Sequence, residues 1–359
     1  MGKKLQKLVV PVIFILVLGL IMASCTGNKK SQAKIHSGVE YYRNLLFSET
    51  PYDLERGTHT LTPDEAKSIN AYKFTYDDSD RLASVEYCRN NVLLGYSSLG
   101  GGAAKITYEY KGNKQIKHYF DKDDQPMAVN GVFAAEYFLN DTTGHRKGLM
   151  FLGKDGSMVE NNNKIHSYSW SVLPNGKVRE LRYNLDGKET VLNQFCPFYE
   201  LRFTYDEKGY PVRMENYRAD TLYNCTAENC GDIGVSYFKF YPDQAGDIDT
   251  FAVFNVIGQM SNLYWGWSKR VTSFDENGYP QKVTYYDQDD EYVGGKLVPV
   301  TEYTYDNHGA VTEVKSMDEN GNLINNPSNG VAITDYIYDE VGHRTGTTRF
   351  DKDHKEVTQ

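Results

Sequence analysis

The chain has 359 residues, with 39 Lys and Arg against 48 Asp and Glu, a formal net charge of −9. That balance disfavours a nucleic-acid partner, because phosphate contacts need clustered Lys and Arg. No block of five like charges occurs, so the charge reads as a solvated surface.

Residues 1–24 read as a signal peptide. Lys3, Lys4 and Lys7 are followed by an almost continuously apolar Leu8 to Met22, then by Ala23, Ser24 and Cys25. The apolar run has the length of a secretory h-region and is short of the roughly 20 residues of a spanning helix. "IMASC" resembles the lipobox of bacterial lipoproteins. The resemblance implies cleavage before Cys25 and lipidation of that residue. It also implies residence in the bacterial cell envelope, anchored through lipid at the outer membrane or cell surface. Each buried acyl CH₂ adds about 0.8 kcal/mol to such an anchor. An uncleaved membrane anchor is the alternative, and in both cases the rest of the chain leaves the cytoplasm. The leader holds three Lys and no acid, so the remainder carries 36 basic against 48 acidic side chains, a net charge of −12. Residues 25–36 are polar and read as a flexible tether.

Residues 37–71 are expected to form a small helical cap over the first repeat, since a repeat array needs a terminal cover. Val39 to Phe47 has helical apolar spacing. Thr62-Pro63-Asp64-Glu65 reads as a capping box with Pro at the first helical position, opening a short helix that ends near Asn70.

From residue 72 to 359 one phrase recurs. In "LRFTYDEKGYPVRMENY", Leu201, Phe203 and Tyr205 share one strand face, and Arg202 and Thr204 the other. Asp206-Glu-Lys-Gly209 fits a type I turn whose Asp bonds the backbone two residues on and whose Gly takes positive φ. Val212 to Tyr217 returns. Comparable turns begin at 77, 111, 141, 173, 206, 243, 275, 306 and 339, spaced by 30 to 37 residues. A second turn follows about 12 residues later, as at Asp121, Gly153, Asn184, Asn255, Asp287, Asp318 and Asp351. Fixed periods of this length mark arrays of supersecondary units. A lone hairpin is marginal in water, so neighbours must stack. The 29 tyrosines suit such a sheet, having strand propensity, large area and a polar tip. The predicted fold is all-β: an elongated, curved or spiralling open array of about nine antiparallel β-hairpin repeats of ~33 residues behind the helical cap. The last strand, Arg349 to Val357, would guard the exposed edge with charge.

"FTYDEKGYPV", "YTYDNHGAV" and "YIYDEVGHR" resemble the YD repeats of bacterial wall-associated and Rhs-type proteins, and the periodicity is similar to that of MORN-type repeats without their glycine pattern. The resemblance covers roughly Tyr72 to Val357 and implies antiparallel hairpins. It implies little about function, because such repeats serve as shells, spacers and binding surfaces.

Candidate chemistry is sparse. Cys225 and Cys230 bracket a short loop and form a candidate disulfide in an oxidising compartment. Cys88 and Cys196 either pair or stay buried. His308, His343 and His354 read as turn residues, and no Gly-x-Ser-x-Gly elbow is present. Asp121-x-Asp123 and Asp287-x-Asp289-x-Glu291 resemble the start of a calcium loop but lack its later Gly and Glu, so they read as turn caps. No cofactor is expected. Tyr264, Trp265 and Trp267 are the candidate ligand platform, with both Trp on one face of an extended chain, and packing over the long unit near Cys225 as the plainer reading. The expected function is a non-catalytic, lipid-anchored envelope protein offering a surface to a glycan or protein ligand, or a structural role. The alternative is a glycan-active hydrolase using paired carboxylates in a groove of the sheet.

Overall fold

The computed structural model describes residues 36, 38–140, 142–193, 196–223, 234–263 and 265–358. The leader, Cys25, the Cys225–Cys230 loop and Tyr264 lie outside the described residues.

The described residues from 38 to 358 carry one antiparallel sheet of 22 strands. Its edge is β2 (Gly57–Leu61), paired with β1 (Val39–Leu45), which pairs in turn with β3 (Ala71–Tyr76). β3 pairs with β4 (Leu82–Arg89). From there the long strands follow in chain order to the far edge, Arg344–Phe350. The hairpin repeats are therefore present, each second strand pairing with its own first strand and with that of the next unit.

The turns show why the motif is written as it is. Asp206 Oδ1 accepts from the amides of Lys208 at 2.9 Å and Tyr210 at 2.8 Å, and the Gly209 amide donates to the Asp206 carbonyl at 3.0 Å. The register shifts between Thr204 and Tyr205, the bulge that this turn requires. Asp275 and Asp306 hold the same pair of bonds in first turns, as do Asp121, Asp287, Asp318 and Asp351 in second turns. In the third unit the Asn140 side chain accepts from the Thr142 amide at 2.9 Å and its carbonyl from Gly144 at 2.8 Å. After each well-formed second turn the chain touches the preceding strand at one bridge only, as in Phe120 to Pro126 and Phe350 to Glu356.

Two expectations at the ends are corrected. The helical cap is absent. Val39 to Phe47 enters a strand, because Tyr42 can pair with Thr60 on one side and Tyr72 on the other. Two ladders outweigh a weak helical spacing over so few residues. The capping box does form, with Thr62 N to Glu65 Oε2 at 2.8 Å and Glu65 N to Thr62 Oγ1 at 3.2 Å, yet it opens only a 3₁₀ turn, Glu65–Lys67. At the other end the last strand is Arg344–Phe350, and residues 351–354 are a turn.

The ribbon is not laid out at length; it winds back on itself. Thr58 Oγ1 donates to the Ala245 carbonyl at 3.0 Å and Asn44 Nδ2 to that of Gly278 at 2.6 Å. The Asn70 amide donates to His308 O at 2.8 Å, and Arg89 to Glu340 O at 3.0 Å. In sheet order β2, β1, β3 and β4 thus carry the successive turn tips at 243, 275, 306 and 339. A ribbon whose later turns rest in order on its earlier strands is a spiral. Gly278 (φ +82°) sits in this seam, and a side chain there would run into the His59 ring.

The concave face holds the core. Phe74, Val85, Ile106, Ala135, Phe203 and Val253 are fully buried, and each large apolar side chain contributes about 1.5–3 kcal/mol. A Tyr near the end of a unit's first strand links units: Tyr110, Tyr305 and Tyr338 donate to the carbonyls of Leu82, Pro280 and Val311, each at the start of the previous unit's second strand.

Candidate functional site

Residues 46–56, between β1 and β2, cross the inside of the spiral as a strap. The Leu46 amide closes its base on Arg56 O at 2.8 Å, and a turn at 50–53 is held by Asp53 N to Thr50 O at 3.2 Å. Behind it lies a cavity of about 930 Å³, within the usual range for ligand pockets. The strap bounds one side. Loops at 98–100, 129–132 and 161–163 bound another, and the inner faces of strands Lys269–Phe274, Pro280–Tyr286 and Val300–Tyr305 a third.

Charged and polar groups fasten the strap. Glu55 takes the Tyr108 hydroxyl and the Lys117 ammonium. Burial alone would raise the Glu55 carboxyl, but Lys117 and Arg146 beside it bring it down to about 2. Arg146 Nη1 donates to Pro51 O at 2.9 Å and to Asp53 O, its Nη2 reaches Gln115 Oε1 at 2.8 Å, and its guanidinium lies 3.8 Å from the Tyr137 ring centre. Thr50 donates to Glu180, a fully buried carboxylate that also takes Trp170 Nε1 at 2.9 Å and Arg182 at 2.6 Å. Tyr205 is the exception among the linking tyrosines. Its hydroxyl donates to Asp53 Oδ1 at 2.9 Å rather than to the previous unit. Burial raises the Asp53 carboxyl, opposed by Tyr205, Ser48, Arg56 and Arg146.

Four carboxylates line the cavity: Glu49, Asp53, Glu55 and Asp247. Asp247 is bound to the His59 ring. Among the described residues, Glu49 has no hydrogen bond or ion pair. Its side chain is accessible to a water-sized probe yet surrounded by protein, because it projects into the cavity. Burial, then the Glu180 charge, push its carboxyl up to about 7, opposed by Arg270. Arg270, on the facing wall, makes no ion pair with it. Its Nε has no hydrogen-bond partner, and its guanidinium lies 5.8 Å from the Phe251 ring centre. Tyr285, paired with Arg270, and Tyr303 on the next strand line the same wall. The site therefore presents one carboxyl and one guanidinium, both uncommitted, among tyrosine rings.

The sequence-predicted platform lies close by. Trp265 and Trp267 stack at 4.9 Å, and the Trp265 indole N–H is taken by Trp267 O at 2.9 Å. Trp267 packs on Phe251 and, at 5.2 Å, on Tyr285 of the cavity wall. Cys88 and Cys196 do not pair; both are buried free thiols, which burial pushes up to about 11 and about 12. Glu49 and Arg270 had no signal in the sequence. Their neighbours in the chain are unremarkable, and only the winding brings them to one space.

No family model and no curated protein matches the chain. Among solved structures it is similar to a TcdB2-TccC3-TEV structure, at 11% identity and a TM-score of 0.31, over 79% of this chain and 14% of that one. A porin-like protein from Bacteroides uniformis ATCC 8492 is similar at 10% identity and a TM-score of 0.28, over 77% and 92%. A Photorhabdus luminescens Tc holotoxin pore gives 11% and 0.25, over 88% and 18%. The chain spans about a seventh of the first toxin chain it matches. At these scores the likenesses carry no argument about function.

Proposed function

We propose that this chain is a lipid-anchored protein of the bacterial cell envelope that binds a ligand in the cavity of its wound β-repeat ribbon and carries out no reaction there. The observation behind the reading is the division of labour among the cavity carboxylates. Asp53, Glu55 and Asp247 are each held by structural partners, which leaves Glu49 as the one uncommitted acid among those four. Glycoside hydrolysis by paired carboxylates requires two. Uncommitted opposite charges on facing walls suit recognition instead. The lipobox-like residues ending at Cys25 support the anchor.

The test uses the protein from Thr26 onward, with low-molecular-weight extracts of bacterial envelopes, and reads the melting temperature. A ligand that binds only the native state raises it by mass action. The expected result is a rise that is lost in Glu49→Gln and Arg270→Gln. Extracts that leave the melting temperature unchanged, or raise it equally in both variants, would contradict the reading. In the full chain, Cys25→Ser should move the protein out of the detergent-soluble membrane fraction.

A further inference from the structure

The chemistry of the two free groups narrows the ligand class, an inference that rests on the binding reading above. Arg270 offers a planar fork of donors that fits a carboxylate in two-point fashion, and at least its Nε is unpartnered. Glu49 offers an acceptor to a cationic or hydroxyl donor. An anion alone would meet Glu49 as a like charge. A cation alone would meet Arg270. A neutral sugar would leave the Arg270 guanidinium without an ionic partner. A molecule bearing both signs satisfies both walls at once. The two groups do not close on each other, so the space between them belongs to the ligand. Tyr285 and Tyr303 supply flat, half-polar walls for its body, and a cavity of about 930 Å³ holds more than a single amino acid.

We propose that the cavity binds a short zwitterionic peptide, its terminal carboxylate on Arg270 and its terminal ammonium on Glu49. The peptide is recognised by its two ends, because Glu49 and Arg270 are the charged groups of the lining without a hydrogen bond or ion pair among the described residues.

The experiment compares three probes by isothermal titration calorimetry against the protein from Thr26 onward: tetra-alanine, its C-terminal amide and its N-acetyl form. Tetra-alanine should bind, and each blocked form should bind about tenfold or more weakly, a difference of about 1.4 kcal/mol. In Arg270→Gln the amide and the free acid should bind alike, while N-acetylation still weakens binding. In Glu49→Gln the pattern should reverse. Both substitutions sit in the cavity and remove no hydrogen bond, and a retained circular dichroism spectrum checks that each variant folds. Equal affinity for all three probes, or no binding of tetra-alanine, would overturn the zwitterion assignment. If envelope extracts still raise the melting temperature through Glu49 and Arg270, the binding reading survives with a different ligand.

Discussion

Glu49 and Glu55 sit six residues apart on one strap, and their carboxyls move in opposite directions. Glu55 falls from the ordinary 4.5 to about 2, so its ionised form is favoured by folding. That contribution is fully present above about pH 4.5 and is lost as pH falls toward 2. Its size is on the order of 3 kcal/mol. Glu49 rises to about 7, so its protonated form is favoured by folding, fully below about pH 4.5, and this advantage is lost as pH rises through 7. The groups facing it are Glu180 across the strap, the Arg270 guanidinium and the Cys196 thiol. Because Glu49 is accessible to water in the cavity, screening reduces the ionised form's cost to about 1–2 kcal/mol. Urea unfolding should therefore show Glu49→Gln more stable than the native protein at pH 8 and equal to it at pH 4. Glu55→Gln should be less stable by about 3–5 kcal/mol at pH 7, since it strands a buried Lys117. Equal effects of the two substitutions at pH 8 would show that the strap's charges are not placed as described.

At the scale of the element, local chemistry was readable; a curved or spiralling array was expected, but not which strands and turns meet across the winding. The Asp-x-x-Gly turns were legible because each acts within five residues: the Asp carboxylate takes two nearby amides, and the Gly accepts a backbone that other residues resist. β1 was misread as helix because seven residues carry too little periodicity to separate the two structures. The linking tyrosines were seen only as strand formers. Their bonds to the previous unit span 25 to 28 residues and depend on a register that no single motif states. Tyr305→Phe removes one such link and should cost about 0.5–1.5 kcal/mol. Tyr205→Phe should cost more, about 1–3 kcal/mol, because it takes a hydrogen-bond partner from the half-buried Asp53 carboxylate. Thermal melts of the two variants measure this, and a larger loss at Tyr305 would contradict the separate roles.

At the scale of the whole molecule, the repeat predicts a ribbon, and the winding turns it into a container. The residues that make the seam, such as Thr58, Asn44 and Arg89, look like ordinary polar strand residues in the sequence. Their partners lie 187, 234 and 251 residues away. Nothing local marks them, and so the cavity, Glu49 and Arg270 were not legible. The winding also explains why a Tyr-rich sheet suffices. Apolar side chains from Tyr72 to Leu263 meet on its inside in one core cluster.

The spiral is tested most directly by a distance across its seam. Asp64 and Asn307 are both exposed and lie beside the Ser68–His308 contact. Spin labels at Asp64→Cys and Asn307→Cys, with Cys25, Cys225 and Cys230 replaced and the buried Cys88 and Cys196 left in place, report that separation by pulsed electron resonance. The account predicts about 25 Å or less, label arms included. An unwound ribbon places β3 and the Val300–Tyr305 strand fourteen pairings apart in the sheet, about 65 Å at the usual strand spacing. A distance near that value would contradict the winding, and with it the cavity.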